Sequence, residues 1–341
     1  MRRSRRFRVA LRPAWLLAAT GWLTAAAWAT SAPPDPERAF EDRDMAPVRA
    51  WLAALPEAGR EAPDALRARA WLARRAGESD TALELIDRAI ERAPERADYR
   101  VDRAAFRSDQ LDGSRSLAAL RVARDVRRDL EQAVAFEPKH VDALVGLIAF
   151  HRQAPGIAGG RDRRADELME RLAGISPAHH ALRVAMRSAD EERYGDAVDA
   201  IAHALADAEY APLKWRLREA RWLSASGRHA AARQRLLALL ARSPDFGPAL
   251  YELGSVALAS GTDGELGRDA LRRYLALPAW PVDPDPARAW LNLGRLHAAG
   301  GDARRAEAAF RRSLALDPDK ATARRARRAL ESSIGAQSTA D

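Results

Sequence analysis

The chain is 341 residues long, with 56 Lys and Arg against 48 Asp and Glu, seven His and no cysteine. Without cysteine there can be no disulfide, no thiolate metal site and no lipid-modified N-terminal cysteine. The formal charge of +8 points toward nucleic acid, but six arginines (Arg2, Arg3, Arg5, Arg6, Arg8, Arg12) sit at the extreme N-terminus, and without them 50 basic residues face 48 acidic ones. That balance is too even to support a nucleic-acid partner.

The six arginines precede an apolar run at residues 14–29, AWLLAATGWLTAAAWA, which ends on Ala27-Trp28-Ala29. A basic start, a short apolar stretch and small residues at its exit form the pattern of a secretory signal, with cleavage expected before Thr30. The alternative is an inner-membrane anchor formed by residues 14–29, because the run lies near the lower limit for crossing a bilayer. The mature protein is therefore expected to be periplasmic or secreted, with no stable membrane insertion unless this segment stays uncleaved.

Beyond residue 29 nothing alternates with period two, and Ala, Leu, Arg and Glu dominate, all strong helix formers. The fold class is all-α. Residues 30–62 read as an N-terminal helical region with one weak helix pair around residues 48–55. From residue 63 onward Gly, Ala and Pro recur at fixed offsets: Gly77, Ala82, Pro94; Gly160, Ala165, Pro177; Gly195, Ala200, Pro212; Gly227, Ala232, Pro244; and Gly301, Ala306, Pro318. Glycine permits a helix stop, alanine lets the next helix lie close, and proline forbids continuation. Two units are stretched. One has helices at 97–108 and up to about 136, joined by a loop at 111–113. The other carries SGTDGELG at 260–267, an insertion of about four residues in its turn. A Pro-rich connector at 278–286 follows, and residues 319–334 form a polar, Arg-rich capping helix before a frayed tail at 335–341.

The most regular unit is 287–318, ARAWLNLGRLHAAGGDARRAEAAFRRSLALDP. Trp290, Leu293 and His297 share one helical face, as do Ala306, Phe310 and Leu314, with Gly294 and Ala306 small where the helices meet. The order Trp, Leu, Gly, then Ala, Phe, Pro resembles the tetratricopeptide (TPR) motif, whose period is about 34 residues. The resemblance extends over residues 63–318. It implies a right-handed α-solenoid of about seven to eight helix pairs, each burying its apolar stripe on its neighbours. It also implies a non-enzymatic scaffold that binds a partner protein or an extended peptide in a concave groove lined by the first (A) helix of each pair.

Candidate chemistry of other kinds is thin. His179 and His180 are adjacent, so they point about 100° apart on a helix and do not suit one ion. No HExxH and no nucleophile with a matched base occurs, so no catalytic residue, metal or cofactor is expected. The heat-shock-chaperone clamp of the family needs several asparagines, and Asn292 is the one asparagine present.

In the family, positions 2, 5, 9 and 12 of each A helix tend to face the groove. In this chain they carry Arg67, Trp71, Arg74, Arg152, Lys214, Arg221, Tyr251, Arg288 and Arg295, with acids Asp64, Asp142 and Glu192. Seven basic residues against three acids suit an acidic segment or a chain carboxylate; the alternative is that arginine merely fills solvated faces. A second place for partner contact is the loop at 153–166, with Gly156, Gly159, Gly160, Arg161 and Arg163. It follows a helix and lacks the Gly-Lys-Ser/Thr of a phosphate loop, so an enlarged turn is the other reading. The competing functional class is a small-ligand or cofactor chaperone, such as a haem-delivery helper, using a pocket near Trp71 or Tyr251.

Overall fold

A computed structural model describes residues 32–111, 116–207, 211–280, 283–316 and 318–338. Every regular element among them is helical. Two N-terminal helices, α1 (Pro36–Glu41) and α2 (Ala46–Ala54), precede seven antiparallel pairs. The pairs are α3 (Pro63–Ala76) with α4 (Ser79–Arg92), α5 (Ala97–Ser108) with α6 (Leu117–Phe136), and α7 (Val141–Gln153) with α8 (Asp162–Ile175). They continue with α9 (Pro177–Asp190) and α10 (Tyr194–Asp207), α11 (Leu213–Ala225) and α12 (His229–Arg242), α13 (Gly247–Ser260) and α14 (Gly264–Ala276), and α15 (Pro286–Ala299) and α16 (Ala303–Ala315). The helix α17 (Lys320–Ser338) closes the stack. Each pair packs on the next, as a right-handed α-solenoid requires.

The pairing follows from small residues at the crossings. A Cβ on Gly294 of α15 would lie 2.5 Å from the Phe310 ring of α16, and a Cβ on Gly254 of α13 would lie 2.4 Å from Leu271 of α14. The backbones approach that closely because nothing projects between them. Ala82, Ala165, Ala232 and Ala306 are fully buried or nearly so at the matching place on the second helices. At the turns Gly77, Gly227 and Gly301 all take φ of +79°, a left-handed helix stop that costs any residue with a Cβ about 1 kcal/mol or more.

The repeat register needs correcting at the fourth pair. Gly195 lies inside α10, and the left-handed residue is Glu192, at φ 59°. Accordingly Ala197 is fully buried while Ala200 is only partly so. The fourth unit is thus shifted three residues N-terminal to the Gly195–Ala200 reading, and Glu192 is a turn residue. The extra residues at 260–267 also behave differently from a loop insertion. Only three separate α13 from α14, two of them left-handed (Gly261 at 68° and Asp263 at 57°), and the remainder extend α14 at its start. At the C-terminal end α17 continues helically past Gly335 to Ser338, so the tail begins later than residue 335. The expected helices at 97–108 and up to 136 are present as α5 and α6. The signal-type segment at 1–29, the loop positions Asp112 and Gly113, and residues 339–341 lie outside the described residues. Among the described residues no helix is long and apolar enough to cross a membrane.

Candidate groove and the segment that occupies it

The first two A helices, α3 and α5, are tied by rungs of constant spacing. Tyr99 Oη donates to Asp64 at 2.6 Å, Arg67 Nε to Asp102 at 2.5 Å, and Arg74 Nε to Asp109 at 2.7 Å, each pair 35 residues apart. The spacing is one repeat, so the same helical position on α3 meets the same position on α5. Arg67 and Arg74 are thereby committed to neighbouring carboxylates. Three more of the expected groove cations are committed too: Arg152 to Asp162 (3.2 Å) and Asp166, Lys214 to Glu41, and Arg221 to Glu252 at 2.6 Å. Trp71 is 1% exposed and Tyr251 is 7% exposed. Arg288 and Arg295 are exposed and unpaired among the described residues.

The N-terminal helices do not form the weak pair expected at 48–55. While α2 packs on α3, α1 runs across the A-helix face as a strap. Asp35 caps it by accepting from the Glu37 amide, and Pro36 opens its first turn. Phe40 is 4% exposed, with its ring 5.2 Å from Trp71 and 5.5 Å from Trp280, while Phe106 stacks edge-on to Trp71 at 5.2 Å. The Arg74 guanidinium lies 4.8 Å from both the Phe40 and Trp71 rings, a cation–π arrangement. Glu41 pairs with Lys214 of α11, and Arg43 donates to Asp283 at 2.7 Å. Arg43 holds a left-handed φ of 62°, unusual for a residue with a Cβ, while its side chain is gripped by Asp283 and lies 5.0 Å from the Trp280 ring. The strap thus joins the first pair to the fifth and to the connector before the seventh.

These contacts dispose of the two pockets considered for a small ligand. The space beside Trp71 is filled by Phe40. Tyr251 is packed on Tyr274 with ring centroids 5.7 Å apart and accepts from Asn292 at 3.4 Å.

Beneath the strap lies a polar cavity of about 240 Å³ bounded by Asp35, Glu37, Arg67, Asp98, Asp102 and His140 among others. Glu37 is pushed up to about 8, first by burial and then by Asp102, Asp142 and Glu41, with Lys214 opposing. Burial likewise raises Asp102, against the opposing pull of Arg67. His140 Nε2 lies 3.0 Å from Asp98, which holds the Asp98 carboxyl well below the usual range and raises the imidazole. His140 Nδ1 accepts from the Ala143 amide at 3.3 Å as the cap of α7, so protonating that nitrogen would forfeit a helix cap. No group of His, Asp or Glu among the described residues is arranged to hold a metal ion.

The glycine-bearing loop is a short turn at Gly156–Ala158 folded against α6. Arg124 donates to the Ile157 carbonyl at 3.3 Å, Gly159 takes φ of 102°, and a Cβ on Gly160 would fall 1.8 Å from the Ala154 carbonyl oxygen. Gly160 therefore serves a close backbone crossing and Gly159 a left-handed turn, while a Cβ on Gly156 would meet no atom within 4 Å. Arg161 points to solvent, and Arg163, 94% exposed, reaches only Glu167 at 3.5 Å.

The sequence positions missed were those of the strap: Glu37, Phe40, Glu41 and Arg43. The local signal was present in an Asp-Pro cap followed by a short amphipathic stretch, PERAFE. Its docking site was not, because it is assembled from residues 31 to 240 positions away.

The tetratricopeptide repeat profile matches residues 287–320. Among solved structures, a chain of the APC/C hetero-tetramer Cut9–Hcn1 superposes with a TM-score of 0.61 at 16% identity, over 86% of this chain and 54% of that one. This chain therefore spans about half the length of that relative. A tetratricopeptide repeat protein of Parabacteroides merdae superposes with a TM-score of 0.46 at 12% identity (80% and 98% of the two chains), and PilW, a type IV pilus biogenesis factor, with 0.42 at 16% identity (80% and 98%). No curated protein matches by sequence.

Proposed function

We propose that this chain, a tetratricopeptide-repeat protein, is a non-enzymatic scaffold of the bacterial cell envelope that holds a partner protein or peptide on its A-helix face. The observation carrying this reading is the strap. A six-residue helix with one aromatic anchor and flanking acids is held there by an aromatic cage and by Lys214. A surface that grips such a segment of its own chain has the chemistry to grip one from another, an aromatic anchor in a pocket with charge pairs at its edge. The Arg-rich start and apolar run at residues 14–29 support export, with the periplasm as the site of action.

In-cell photocrosslinking tests the reading. A crosslinker at Arg295, exposed on α15, should capture a discrete partner from the envelope fraction, whereas one at Arg311 on α16 should not. Equal labelling from both positions would overturn it. The mass of the purified mature protein should correspond to a chain starting at Thr30; an intact N-terminus in the membrane fraction would favour the anchor.

A further inference from the structure

Several arginines on the A-helix face are matched to carboxylates; of those left unmatched among the described residues, Arg288 and Arg295 are exposed, whereas Arg183 and Arg218 are half-buried. Arg183 of α9 and Arg218 of α11 converge on one sulfur: Arg183 Nη1 lies 3.5 Å, and Arg218 Nη1 3.3 Å, from Met186 Sδ. Thioether sulfur is a weak acceptor and offers no charge. Neither guanidinium is ion-paired among the described residues, both are half-buried, and Arg183 Nε is buried with no acceptor. Burial lowers both pKa values; the neighbouring Arg218 lowers Arg183 further, and Arg221 lowers Arg218 further. Two partly desolvated like charges side by side are unfavourable unless an anion joins them.

The groups facing the pair come from several helices. Arg152 on α7 and Arg221 on α11 add positive potential, and Asp190 and Glu41 are the acids within electrostatic reach. Glu41 is already committed to Lys214. Lys214 lies one helical turn before Arg218 on α11, on the same face. This stretch of α11 therefore already receives one carboxylate from a segment crossing the groove, and the next turn along presents a cationic fork without one. Guanidinium forks match carboxylates in a planar, two-bond geometry.

We propose that Arg183 and Arg218 form a receptor for a carboxylate side chain of an acidic partner peptide, which continues along the groove from where the strap's Glu41 sits. The site deepens the scaffold reading and rests on it. It calls for a peptide with successive Asp or Glu residues.

Fluorescence anisotropy with a labelled hexaglutamate peptide and the full mature chain tests it, with a hexaserine peptide under the same label as the neutral control. Wild type should bind hexaglutamate saturably, hexaserine should not bind, and 0.5 M salt should weaken the complex. Arg183→Gln with Arg218→Gln should weaken hexaglutamate binding at least about tenfold. Arg311→Gln with Arg312→Gln, on α16, should leave it unchanged. Circular dichroism and thermal unfolding of the double variant would establish that it still folds, and Arg218→Gln alone gives a milder second test. Failure of wild type to bind hexaglutamate overturns the site. Equal binding by wild type and the double variant overturns it too, and leaves the scaffold reading standing on the Arg295 crosslink. Binding to phosphatidylglycerol vesicles without hexaglutamate binding would reassign the pair to a lipid headgroup and overturn the peptide proposal.

Discussion

Arg43 and Asp283 are 240 residues apart in the chain and 2.7 Å apart in space, with side chains only 14% and 12% exposed. This pair fixes the strap to the connector between the sixth and seventh helix pairs. Asp283→Asn removes the charge facing Arg43 and should weaken strap docking by about 2 kcal/mol. Hydrogen exchange should show faster exchange across α1 with α3–α16 unchanged.

Phe40 carries the apolar part of the same docking. Phe40→Ala empties the cage between Trp71 and Trp280 and should cost roughly 3 kcal/mol. Because α1 contributes few contacts to the stack, the loss should appear as local release and leave global unfolding little changed. Trp71 and Trp280 would then report the event as a red-shifted fluorescence spectrum at unchanged helical circular dichroism.

Docking should also depend on pH. Glu37 rises from 4.5 to about 8 in the folded chain, chiefly through burial. A group with a raised folded pKa favours the docked state fully below its unfolded value, and that contribution is lost as pH rises through the folded one. The strap should hold best near pH 4.5 and loosen progressively up to pH 8. Ionised Glu37 would then face Asp102, Asp142 and Glu41, with Lys214 the cation opposing them. His140 is also raised, by Asp98, but its added proton would go on Nδ1 and cost the α7 cap from Ala143, which offsets its contribution. Glu37→Gln leaves His140 in place and should flatten most of the pH dependence of α1 hydrogen exchange; an unchanged profile would assign the effect to His140.

The crossing glycines make a separate prediction about the stack. Gly294→Ala places a methyl 2.5 Å from the buried Phe310 ring and should destabilise by about 1–3 kcal/mol through overpacking. Gly301→Ala meets no atom within 4 Å and should cost about 1 kcal/mol through its φ of +79° alone. Urea unfolding of both variants should rank Gly294→Ala as the more damaging.

How much of this was legible in the sequence depended on the range of the cause. The turns at Gly77, Gly227 and Gly301 and the crossing at Gly294 are local requirements for a missing Cβ, so composition at fixed spacing announced them. The fourth pair was misread because Glu192, a residue with a Cβ, takes the left-handed turn while Gly195 sits in a helix. Position in the A helix singles out side chains such as Arg67 and Arg74 for a groove, but it cannot say that Asp102 and Asp109 answer them one repeat later. The strap was least legible. The partners of Glu41 and Arg43 lie 173 and 240 residues on, and only the winding of the whole stack brings them together.

The central claim is that the A-helix face binds a short acidic segment with an aromatic anchor. Its most direct test is the binding of a labelled peptide copying residues 35–44 to the chain lacking residues 30–44, followed by fluorescence anisotropy. The account predicts saturable binding that Lys214→Glu abolishes and that the full mature chain, with its own strap in place, shows far more weakly. Absence of binding to the shortened chain, or binding indifferent to Lys214→Glu, would contradict it.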